Sequence, residues 1–164
     1  MGEKHVSKEV GQWIYRAFDV ITTLDPKFLR AYEAGGHALC TIVTMPEESI
    51  RLLEKGIRHN PQEWRLSFVL GINLYFELGE DQKAAEAMAI ASRVPGAPDI
   101  VARLAARMLV SAKSPHQAVE LLAKVYEDTA DENVRTLLDQ RLREAIVERD
   151  LYLLEEAIGG FEAR

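Results

Sequence analysis

The chain has 164 residues, 48% of them apolar and 28% charged, and a net charge of −6. That length suits one domain with a usable core, and the acidic balance argues against nucleic acid as the main partner, because phosphate binding needs a cationic surplus. Its one cysteine, Cys40, excludes an internal disulfide, and no apolar run approaches the roughly 18 residues of a membrane span.

The opening MGEKHVSKEV has no hydrophobic signal core, and Val6 stands where a myristoylation signal wants Ser or Thr. The expectation is a cytoplasmic protein by default, or a periplasmic or membrane-anchored one if an N-terminal signal has been removed. Helical spacing of apolar residues then predicts helices over 7–23, 27–43, 47–58, 62–78, 81–93, 98–112, 115–128 and 132–148, with a last one over 150–158. Asn60-Pro61-Gln62-Glu63 offers an N-cap, a first-turn proline and a capping-box glutamate; Ser114-Pro115-His116-Gln117 does the same with glutamine, and Asp25-Pro26 is a weaker version. Breaks fall at Met45-Pro46 and at Gly79-Glu80-Asp81. No segment alternates like a strand.

The second of these helices contains Gly35-Gly36, a pair that costs roughly 1 kcal/mol per residue relative to alanine inside a helix. The reason lies in a repeat. Pro26, Pro61 and Pro95 stand 35 and 34 residues apart. Ten residues past each is a small residue: Gly36, Gly71 and Ala105. Twenty-three past, small residues recur as Ser49, Ala84 and Ala118; twenty-seven past come Leu53, Met88 and Leu122. Each copy reads as two helices, and a two-helix unit buries its apolar faces within itself and against its neighbour. Gly36, Gly71 and Ala105 are therefore expected to meet Ser49, Ala84 and Ala118 at the closest approach of each pair.

These residues resemble the tetratricopeptide repeat (TPR), including bacterial members of that family. The middle copy, LGINLYFELGEDQKAAEAMAIASRVP, carries the Leu-Gly, aromatic, Gly-Asp, Ala and Ala-before-Pro pattern; the first keeps Tyr32, Gly36, Gly56 and Asn60-Pro61; the third keeps Leu104, Ala105 and Ala118. Gly35 replaces the usual large residue, and Leu78-Gly79 implies a one-residue insertion at the end of a first helix. The resemblance implies an all-α, right-handed superhelix of antiparallel helix pairs. Residues 1–26 would be the leading helix of an incomplete repeat, 27–61, 62–95 and 96–130 three repeats, and 131–164 capping helices, apolar on one face and charged on the other. Pentatricopeptide repeats share the length but are usually basic, which the net charge of −6 opposes.

The resemblance also implies a role: a protein-interaction module or scaffold rather than an enzyme, binding a partner peptide or protein in a groove lined by the first helix of each pair. Its ligand-facing positions would be Arg30, Glu33, His37 and Cys40, then Arg65, Phe68, Ile72 and Tyr75, then Asp99, Ala102, Ala106 and Leu109. Arg65, Phe68, Ile72 and Tyr75 form the expected centre, with Arg30 and Leu109 toward its ends. Phe68, Ile72 and Tyr75 have a core alternative, since helix phase can err by one residue. A homo-oligomeric scaffold, joined through the terminal helix or an exposed Cys40, is the second reading.

Chemistry has little else to work with. His37 and Cys40 lie on one helix, and an enzyme using that pair is the third reading. Two ligands are too few for a metal, and no cofactor motif appears, so neither metal nor cofactor is expected. Trp13 and Trp64 are expected to be buried between helices, and His59 to serve a helix C-terminus.

Overall fold

The computed structural model describes residues 7–162, and every regular element among them is helical. Residues 1–6, with His5, and residues 163–164 lie outside the described residues. The helices are α1 (Lys8–Leu24), α2 (Leu29–His37), α3 (Pro46–His59), α4 (Trp64–Asn73), α5 (Asp81–Arg93), α6 (Asp99–Ser111), α7 (Pro115–Asp128) and α8 (Glu132–Glu162). Helices adjacent in sequence pack on one another along the array, and α8 lies against both α7 and α6.

Local chemistry sets the ends. Ser7 caps α1 by accepting a hydrogen bond from the Val10 N–H at 3.3 Å. Pro46 opens α3, with Glu47 and Glu48 in the first turn and Arg58 and His59 in the last, the order that suits the helix dipole. Asn60 does not cap α4. It ends α3, and its side-chain amide donates to the Pro26 carbonyl at 2.8 Å and the Gly56 carbonyl at 3.1 Å. Consequently α2 and α4 begin at Leu29 and Trp64, slightly later than the proline signal suggests. The helix expected to break near 149 does not break: α8 runs through Arg149 and Asp150.

The core explains the glycines. A Cβ on Gly35 would lie 2.5 Å from Leu52 Cδ2 and 2.8 Å from the Phe18 ring, so α2 sits between α1 and α3 only because that Cβ is missing. One on Gly36 would strike Leu53 at 2.7 Å. Ser49 Oγ donates to the Gly36 carbonyl at 2.6 Å, and Asn73 Nδ2 donates to both, at 3.2 Å to the carbonyl and 2.9 Å to the hydroxyl. Three helices thus share one buried, satisfied polar cluster. At Gly71 a Cβ would come 2.8 Å from Met88 Cγ and 3.2 Å from the Ala84 carbonyl oxygen. Ala105 and Ala118 are wholly buried. Lys55 ties α3 to α1 through the Asp19 carboxylate (2.7 Å), the Asp19 carbonyl (2.9 Å) and Thr23 Oγ1 (2.7 Å).

Two first helices finish in π turns, Ala38–Ile42 after α2 and Leu74–Leu78 after α4. A π turn accommodates one extra residue. The insertion implied at Leu78-Gly79 is housed there, closed by Gly79 in the left-handed region at φ 64°. The first copy carries the same device, which the sequence did not reveal. In the third copy α6 has no π turn and starts four residues past Pro95, where α2 and α4 start three past Pro26 and Pro61. The added loop residue offsets the missing helix residue, and α3, α5 and α7 all begin twenty past their prolines.

Candidate interaction surface

That compensation shifts the register of α6 by one. Ala106, rather than Ala105, matches Gly36 and Gly71. Leu109 matches Leu39 and Leu74 and is 1% exposed, a core residue instead of a groove residue. Ala102 and Ala106 are buried as well. The outward positions of α6 are Ile100, Arg103, Arg107 and Val110, exposed or half-buried.

On α4 the expected stripe is accessible. Arg65 and Tyr75 are exposed, and Phe68 and Ile72 are half-buried. The Arg65 guanidinium lies 5.0 Å from the Trp64 ring centroid, and Trp64 meets Phe68 edge to face at 5.8 Å. Tyr75 meets the exposed Phe76 edge to face at 5.0 Å. On α2, Arg30 and His37 are exposed and Glu33 is half-buried.

Cys40 is 1% exposed, not an exposed thiol. Burial is the main cause that pushes its pKa from an ordinary 9.0 up to about 11; the Glu77 charge adds to this, and the Ser49 hydroxyl opposes it. A buried thiol held protonated in this way is the opposite of the exposed, low-pKa setting that favours thiol reactivity. Among the described residues, no three His, Cys, Asp or Glu side chains gather as a metal site. Trp64 is half-buried, whereas Trp13 is 69% exposed on α1, where Val10, Val20 and Leu24 are exposed with it.

A concavity also lies against α8, the helix expected only to cap the array. A cleft of about 370 Å³ opens between α6 and α8. Ile100, Leu104, Val110 and Ala145 give it an apolar floor, and Arg103 and Arg107 supply its charge on α6. Arg103 pairs with Asp99 at 3.0 Å through Nη2, while its Nε is buried with no partner among the described residues. Across the cleft Arg141 pairs with Glu144 at 2.6 Å, and that hydrogen bond is the main cause holding the carboxyl below its usual range. Arg103 and Arg107, four apart on one helix, are the sequence signal for this wall, one residue out of phase with positions counted from Pro95.

The molecule is an all-α, TPR-like array of antiparallel helix pairs. No protein-family model and no curated protein matches the chain. Among solved structures it is similar to the crystal structure of MamA, a TPR-like protein, with a TM-score of 0.51 and 16% identity over 83% of this chain and 86% of that one. The likeness is one of fold. Among the described residues no helix is long and apolar enough to cross a membrane.

Proposed function

We propose that the chain is a protein-interaction module whose first-helix stripe receives a peptide segment of a partner. The observation that carries this is the open cleft between α6 and α8, where Arg103 and Arg107, four residues apart, stand beside the apolar Ile100, Leu104 and Val110. The α4 stripe of Arg65, Phe68, Ile72 and Tyr75 extends the same kind of surface, with aromatic and arginine side chains of the sort that dominate binding energy. A suitable ligand carries an apolar anchor and a carboxylate or carbonyl.

The test is selection from a displayed random-peptide library, followed by titration of the winners. Arg107→Glu and Tyr75→Ala are each expected to weaken binding about tenfold or more. Winners that bind both variants as tightly as the parent chain would overturn the reading. A self-assembling scaffold is the second reading, favoured by the apolar side chains left open on α1, Trp13 above all. Light scattering on the purified chain separates it: a monomer across the working concentration range removes it.

A further inference from the structure

Helix α8 has two apolar faces. Leu138 and Ala145 are buried against the array, with Leu142 half-buried beside them. On the opposite side Val147, Leu151, Leu154 and Ile158 are between 50% and 59% exposed. Their spacing of four, three and four residues is that of a coiled-coil seam. Tyr152 is half-buried, its ring 6.5 Å from that of His116. Residues 153–159 are exposed at every position. A helix turn with no tertiary support is marginal in water, so this end gains from a partner along its seam.

Charge selects the partner. Glu148 and Glu155 flank the seam on one side, one heptad apart. Glu144 is paired with Arg141 and Asp150 with Arg149, at 2.6 and 2.8 Å. Glu148 and Glu155 have no salt bridge among the described residues. A second α8 would set a like charge against Glu155 in either orientation, Glu148 when antiparallel and Asp150 when parallel, and only the parallel pair would offset this, by setting Arg143 against Glu148. The α1 stripe of another copy is apolar too, but Arg16 is the one base flanking it.

We infer that the outer face of α8 docks an amphipathic helix of another protein, with a leucine-type seam and Lys or Arg along its flank. This surface is separate from the α4 stripe; Glu148 also lines the α6–α8 cleft, and Glu148, Leu151 and Glu155 border a smaller pocket with Val110, Lys113 and Pro115.

The test uses two synthetic amphipathic peptides, about three heptads long, with Leu on the seam and either Lys or Glu on the flanks. Binding to the full chain is read by fluorescence anisotropy. The Lys-flanked peptide is expected to bind, and more weakly as salt rises. Leu154→Asp, at an exposed position, is expected to cost about tenfold or more in affinity with unchanged circular dichroism. The double variant Glu148→Lys/Glu155→Lys is expected to prefer the Glu-flanked peptide. Arg107→Glu, which strikes the cleft and spares the seam, is expected to leave this binding in place. The inference is overturned if neither peptide binds or if the two bind alike. It is equally overturned if Leu154→Asp has no effect, if Arg107→Glu abolishes binding, or if the chain proves to be an oligomer that Leu154→Asp dissociates.

Discussion

A methyl group added at Gly71 would need room beside Met88 and the backbone oxygen of Ala84. The methionine can swing aside, but the carbonyl belongs to α5 and moves only if the helix does. Gly71→Ala is therefore expected to destabilise the fold by about 1–3 kcal/mol, and Gly71→Leu by more. Thermal melting checks this, and an unchanged melting temperature for the leucine variant would contradict the close approach of α4 and α5. The same logic accounts for Gly35 and Gly36, where helix propensity is given up so that Leu52, Leu53 and Phe18 can close over α2. Cys40 shows the opposite limit of single-residue reading. Its type suggested reactivity, but its surroundings make it a small core residue.

Among the helices themselves, the π turns are the feature that matters most. An extra residue in a regular helix would rotate everything after it by about 100°. Confined to Leu74–Leu78, it leaves the rest of α4 in register. Deleting Glu77, exposed within that turn, is expected to be tolerated with a melting shift of at most a few degrees. Deleting Val69 within α4 is expected to abolish cooperative unfolding. Calorimetry on both distinguishes the two. The π turns also show why the fold was readable and the site less so. Apolar spacing and the recurring small residues make α1 to α7 legible, because burial forces both patterns, while the break expected near 149 is absent from α8. The one-residue slip in α6 left no compositional trace, so Leu109 was assigned to a groove while Ile100, Arg103 and Arg107 went unassigned. Helix α8 departs from the one-sided cap expected over 131–164: its apolar residues fall on opposite faces, Leu138 and Ala145 inward and Val147, Leu151, Leu154 and Ile158 outward, and only the neighbouring helices decide which face is buried.

Across the array, support is uneven. Helices α4 and α5 are packed on both sides, whereas residues 153–159 are exposed at every position. Hydrogen exchange is expected to be slowest in α4 and α5 and fastest in 153–159. A chain shortened after Tyr152 is expected to melt within a degree or two of the parent. A large loss on shortening would mean that the end of α8 supports the array.

The loop before α6 and the π turns after α2 and α4 compensate each other, and this governs how the protein can be re-engineered. Modules exchanged between positions by counting from the prolines would arrive rotated by a residue, with surface side chains turned inward. Chimeras cut at the first residue of each leading helix, and carrying their own bulge or lacking one, would keep every side chain on its proper side.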